Sequence, residues 1–246
     1  MSSFFNRLAN PTRVVRLATA VLPWTALLAL ALLGSGLYFA LFASPADYQQ
    51  GESVRIMYVH VPSAWLAMAG YSTVAIASAC ALIWKHPLAD LVAKSASPIG
   101  ACFALLCLVT GSLWGKPMWG TWWAWDARLT SVLILFFLYI GHYALLHAFD
   151  DPVRGAKAAA VLALAGFINV PIIKFSVDWW NTLHQPASVS KMGMPSVDPR
   201  MLLPLLLMAL GYTFFFVTVL LLRVKGEILA AKIRALRLGQ LQGQTQ

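Results

Sequence analysis

Residues 119–126 read Trp-Gly-Thr-Trp-Trp-Ala-Trp-Asp, four tryptophans in seven positions closed by a carboxylate. An indole offers a large flat apolar face and one N–H donor, so a cluster of them suits a flat aromatic ligand. Two histidines accompany the cluster. His60 stands at the mouth of an apolar stretch, and His184 follows Asp178, Trp179 and Trp180 in a later loop. An aromatic shelf with two imidazoles beside it supplies stacking surface and axial nitrogen ligands, the two things a haem requires.

The spacing adds detail. In the loop 114–128, Pro117 suits the first position of a short interfacial helix. On such a helix Trp119, Trp122, Trp123 and Asp126 fall at i, i+3, i+4 and i+7 and share a face. The competing explanation is an aromatic belt, since tryptophan gathers at both membrane interfaces. A belt scatters its rings over both sides. Here Trp114, Trp119, Trp122, Trp123, Trp125, Trp179 and Trp180 fall on one side and only Trp24, Trp65 and Trp84 elsewhere, which favours a ligand shelf. Pro62 marks the start of the helix behind His60. A helix N-terminus disfavours positive charge and keeps the imidazole in its neutral, metal-binding form. Asn181 precedes His184 by three, so in a helical turn it would orient that ring. Either histidine alone is more often an ordinary polar residue than a ligand. Arg55, Lys116 and Arg128 are cations near the shelf. An arginine can grip a carboxylate such as a haem propionate as a fork, although pairing with Asp47, Glu52 or Asp126 accounts for each equally well.

The elements that must position these groups follow from hydropathy. Of the 246 residues 60% are hydrophobic and 11% charged, with a mean hydropathy of +0.72. Soluble domains carry about 25% charged residues, so the apolar excess faces something other than water. Six uncharged stretches, 22–42, 61–84, 95–113, 129–149, 158–173 and 202–222, are long enough to cross a bilayer as helices. The fifth is short, with Lys157 and Lys174 placed to snorkel, and Pro171 is expected to bend it near its end. Strand-like alternation is absent, so the chain reads as all-α, a single polytopic membrane domain over 1–246 with six transmembrane helices and an outer tryptophan-rich loop. The first stretch is too long for a signal peptide and reads as a retained anchor. With six spans, His60, the tryptophan loop and the outer loop 174–201 with His184 all share one side.

Twelve lysines and arginines, Arg7 among them, fall on the side of the termini, Lys85 and Arg154, and six on the side of the tryptophans. The positive-inside rule therefore makes both termini cytoplasmic. The net charge of +9 implies anionic lipid headgroups as partners rather than nucleic acid, for which no motif appears. The tail 223–246 is basic. From Arg223 to Leu238 it reads as a helix lying on the inner surface or touching a cytoplasmic partner.

Several chemistries are excluded. Cys80, Cys102 and Cys107 all lie inside spans, and no Cys-x-x-Cys offers a redox pair or covalent haem attachment. A nucleotide-binding loop and the patterns of hydrolases are missing, so the chain does not read as an enzyme. A membrane cytochrome of the b type needs facing intramembrane histidines. His142 and His147 lie on one span about 140° apart, and only His142 is well placed. A transporter moving haem through its own helix bundle is the other alternative, although few polar groups line such a path.

The stretch Gly-Ser-Leu-Trp-Gly-Lys-Pro-Met-Trp-Gly-Thr-Trp-Trp-Ala-Trp-Asp-Ala-Arg-Leu-Thr at 111–130 resembles the signature of the membrane haem-handling proteins of cytochrome c maturation. Together with Asp-Tyr-Gln-Gln-Gly at 47–51, Val-His-Val-Pro at 59–62 and Asp-Trp-Trp-Asn-Thr-Leu-His-Gln at 178–185, the chain is similar to the CcmC family, haem exporter protein C. The resemblance implies non-covalent binding of haem b at the periplasmic face of a bacterial inner membrane and its delivery to the haem chaperone CcmE. It implies a complex with the ATPase subunit CcmA, the membrane subunit CcmB and the small subunit CcmD. On that pattern Trp119, Gly120, Trp123, Trp125 and Asp126 occupy signature positions, and His60 and His184 are the axial ligands of the haem iron.

Overall fold

A computed structural model describes residues 9–185, 188, 189, 191 and 193–243, with side chains through 240. Arg7, the last three residues of the basic tail and four positions of the loop 174–201 lie outside the described residues. Helices make up most of the described backbone, and no strand occurs among the described residues. Among the described residues six helical segments are long and apolar enough to cross a membrane, and the chain is a multi-pass membrane protein.

Helix α1 spans Pro11–Tyr38. Asn10 caps it by accepting from the backbone N–H groups of Thr12 and Arg13 at 3.0 and 3.2 Å, and Pro11 fills a first-turn position where a missing N–H costs nothing. A widened turn at Phe39–Ala43 ends it. After a loop, a 3₁₀ turn at Glu52–Ile56 runs into α2, Met57–Trp84. The expected start at Pro62 is therefore too late. The upstream 3₁₀ turn starts the helix, and Pro62, its sixth residue, sits inside it at the cost of the hydrogen bond to the Tyr58 carbonyl. His60 lies inside α2, not ahead of it.

Helix α3, Ala89–Trp119, has 31 residues and is about 46 Å long, more than a bilayer core of ~30 Å requires. Its last turns carry Trp114 and Trp119. Pro117 lies within that final stretch, so it starts no interfacial helix. Gly120 stops α3 with φ 74, a left-handed cap that glycine adopts without a Cβ penalty, and donates its N–H to the Lys116 carbonyl at 3.1 Å. The segment 120–126 is irregular, and Asp126 caps the following helix, α4, Ala127–Leu145.

The fifth span divides into α5, Pro152–Gly166, and α6, Asn169–Trp179. Pro171 disturbs the start of α6 instead of its end. Its ring clashes with the carbonyl four residues earlier, that of Phe167, where the helix breaks. Helix α7 runs unbroken from Pro199 to Gly243, 45 residues, about 67 Å. The basic tail is thus the straight continuation of the last span.

The core joins α2 through α7 around Tyr71, Val74, Ala96, Leu135, Ala163 and Phe216. Two buried polar groups are satisfied across helices. Tyr139 donates to the Ala67 carbonyl at 2.7 Å and the Asn169 amide to the Ser131 carbonyl at 2.8 Å. At the tail end, Lys94 and Glu227 pair at 2.9 Å and Arg223 donates to the Ser95 carbonyl at 3.1 Å, fastening α7 to α3. Helix α1 packs along α7.

Candidate functional site

At the opposite end the bundle parts around a cavity of about 700 Å³, within the usual range for small-molecule sites. Its wall combines the loop 45–50, α2, α3, the start of α4, the middle of α6, residues 183–185, 188 and 189, and the start of α7. His60, His184, Trp114, Trp119, Trp123 and Arg128 all contribute to it. The topology that puts odd-numbered loops on one side has brought together groups far apart in sequence.

His60 is held by α3. Its Nδ1 lies 3.1 Å from the Cys107 carbonyl oxygen and 3.1 Å from Thr110 Oγ1. Gly111 makes room for the ring, since a Cβ there would sit 2.9 Å from His60 Cε1. The edge of Trp114 meets His60 at 5.6 Å between centroids. Trp114 in turn donates its indole N–H to Gln50 Oε1 at 3.0 Å. Gln50 is presented by a tight loop in which Asp47 Oδ1 accepts the N–H groups of Gln49 and Gln50, both at 2.9 Å.

His184 is held differently. Helix α6 stops at Trp179, so Asn181 does not share a helical face with it. Its partner is Asp126, whose Oδ2 lies 3.3 Å from His184 Nδ1. Trp119 braces the ring edge to face at 4.9 Å. Burial pushes the Asp126 carboxyl up, but the hydrogen bonds from His184, Leu129 and Leu183 outweigh it and hold the carboxyl below the ordinary carboxylate range. Asp126 is thus an anion in the neutral range.

The remaining candidates divide. Trp123 lines the cavity, and its indole N–H is buried without an acceptor among the described residues. Trp122 and Trp125 are 54% and 78% exposed and stay out of the wall, as do Trp179 and Trp180. Helical spacing placed Trp122 on the shelf, and the irregular backbone of 120–126 removes it. Those four exposed rings suit an interfacial belt. Gly120 serves as the stop of α3. Arg55 is bonded to Glu52 and to the Ala40 carbonyl, and it lies outside the cavity wall. Lys116 donates to the Gly120 carbonyl at 3.0 Å. Arg128 lines the cavity while its Nε donates to Ser176 Oγ at 3.1 Å and its Nη2 to the carbonyls of Ile173 and Lys174 at 3.4 and 3.3 Å. Sequence reasoning missed Met57, Trp65, Met68 and Met201, which complete the apolar wall. It also missed Thr110, although a hydroxyl beside a glycine in an apolar span was a usable signal. His142 is fully buried with Nδ1 unpartnered among the described residues, and His147 bonds the Tyr143 carbonyl of its own helix at 2.9 Å.

The arrangement can take a flat, largely apolar ligand between tryptophan edges and offer it two imidazole nitrogens. Comparison with known proteins agrees with that shape. The profile of the family described as Heme exporter protein C matches residues 4–239. The Heme exporter protein C of Bradyrhizobium diazoefficiens is 59% identical over 95% of this chain and 88% of its own length. Those of Haemophilus influenzae and Escherichia coli are 50% and 45% identical, over 90% and 93% of this chain and 90% and 92% of theirs. With the profile covering nearly the whole chain and relatives of this identity, the protein belongs to the haem exporter protein C family.

Proposed function

We propose that this protein binds haem b non-covalently at the periplasmic end of its helix bundle and delivers it to the chaperone CcmE during maturation of c-type cytochromes. The observation that carries the reading is the single cavity walled by His60 and His184, each with Nδ1 already engaged, so that Nε2 remains for iron. The printed name of the relatives supports haem as the cargo. Trp114, Trp119 and Trp123 supply aromatic wall, and the orphaned Trp123 N–H fits a ligand that carries acceptors. Haem supplies an iron with two axial positions and two carboxylates. Of the cations Arg55, Lys116 and Arg128, Arg128 lines the cavity, which supports it as the partner of one carboxylate.

The chain binds and presents, and is no enzyme. The charge asymmetry supports an inner-membrane orientation with both termini in the cytoplasm. Release from two axial bonds and an aromatic wall is work for the partners CcmA, CcmB and CcmD. The continuous helix α7 offers its basic end on their side of the membrane. Passage through the bundle gains no support, because Tyr71, Val74, Ala96 and Leu135 are fully buried between the cavity and the tail end.

Transfer assays test delivery. Haem-loaded protein mixed with CcmE alone is expected to keep its haem, and to pass it on when the complete complex hydrolyses ATP. Complete transfer from the isolated chain without nucleotide contradicts the division of labour. A cysteine placed at Thr121, in a background lacking the native three, should react with an impermeant thiol reagent on intact spheroplasts, and one at Ser3 should not.

A further inference from the structure

The two histidines are backed by unlike partners. Asp126 stands directly before α4, and its carboxylate oxygens face different elements. Oδ1 accepts the Leu129 N–H at 2.8 Å, while Oδ2 accepts the Leu183 N–H at 3.2 Å and lies 3.3 Å from His184 Nδ1. The side chains of His184 and Asp126 are 19% and 8% exposed, so the pair is shielded from water. His60 Nδ1 faces only neutral groups, the Cys107 carbonyl and the Thr110 hydroxyl.

We infer that Asp126 is a positioning residue for His184, fixing its ring as the Nδ1–H tautomer with Nε2 toward the cavity and making it the stronger electron donor of the two imidazoles. The inference rests on the haem reading given above. A carboxylate that accepts the Nδ1 proton makes the opposite nitrogen more basic. A more basic axial nitrogen favours ferric over ferrous iron and lowers the reduction potential. The carbonyl and hydroxyl behind His60 exert the same pull with dipoles in place of a full charge. Asp126 also holds the segment that bears its histidine, through Leu183, and that segment has no helix of its own.

The test is Asp126→Asn in the full-length, haem-loaded protein. Asparagine removes the charge and keeps a single acceptor oxygen, which can serve His184 Nδ1–H or the Leu129 N–H but not both. The reduced-to-oxidised ratio of the bound haem at fixed solution potential is expected to rise about tenfold, equivalent to ~59 mV for a one-electron couple, with the low-spin spectrum retained. Thr110→Val, which removes only a neutral partner, should move it far less. In haem-free protein, nitrogen-15 spectra of the imidazoles should show His184 as the Nδ1–H tautomer, and a tautomer mixture in Asp126→Ala. A purely structural Asp126 would lower haem occupancy or helix content without moving the potential of the haem that remains. That result, or His184 protonated on Nε2 in the unaltered protein, overturns the inference. Failure of the haem reading looks different: His184→Ala would then leave the absorption spectrum unchanged, whatever Asp126→Asn does.

Discussion

His60 and His184 reach one cavity from supports of different stiffness. His60 lies inside α2, and everything that fixes it, Cys107, Thr110, Gly111 and Trp114, belongs to α3. Two packed helices make that wall. The other wall is the segment 180–185, which has no regular structure and is held by Asp126, at Leu183 and His184, and by the Trp119 ring. Arg128 secures the end of α6 just before it. Segments with few backbone bonds of their own open at lower cost than packed helices. On the proposed haem reading, a site with one histidine built in and the other fastened on opens from the fastened side while the bundle stays folded.

The largest effect expected from breaking this contrast is on the stiff wall. Gly111→Leu drives a side chain onto the His60 ring between helices that cannot yield, and overpacking of this kind costs about 1–3 kcal/mol. Haem content, read as haemochrome per protein, should fall to the level of His60→Ala. Next comes the division among the tryptophans. Trp119→Ala and Trp123→Ala should each lower haem content several-fold, while Trp122→Ala and Trp125→Ala leave it near the unaltered value. Equal losses for Trp123→Ala and Trp125→Ala would mean that the exposed rings belong to the site. Arg128→Lys gives up a fork that reaches Ser176 and two carbonyls, at a cost of about 1–2 kcal/mol. Amide exchange should quicken across 180–185 and stay unchanged across 57–61. The smallest effect belongs to Thr110→Val, where the Cys107 carbonyl still accepts from His60. Haem affinity should drop by less than about tenfold, as for loss of one neutral hydrogen bond of ~1 kcal/mol.

The stiff wall was also the more legible in sequence. Hydropathy located all six spans, and the alternation of sides placed both histidines with the tryptophans, because both properties are carried by long stretches of residues. Local spacing did worse. Pro62 and Pro117 each suggested a helix start, but a 3₁₀ turn ahead of one and a glycine stop behind the other set the true ends. Asn181 looked like the partner of His184 because it stands three residues away. The actual partner, Asp126, stands 58 residues away, and no periodicity connects an irregular loop to the cap of a different helix. Trp122 was misplaced for the same reason, since a helical face was assumed where the backbone is not helical. The glycine that ends α3 and the aspartate that starts α4 were both visible as signals, and together they bound a segment too short for a helix of its own.

The central claim is that one haem iron takes His60 and His184 together. It is tested most directly by the ferric absorption and electron-spin spectra of the purified haem-loaded protein and of His60→Ala, His184→Ala and His142→Ala. Low-spin, bis-imidazole iron is expected in the unaltered protein and in His142→Ala, and high-spin or mixed-spin iron in each of the other two. Spectra of His60→Ala and His184→Ala that both match the unaltered protein would contradict it.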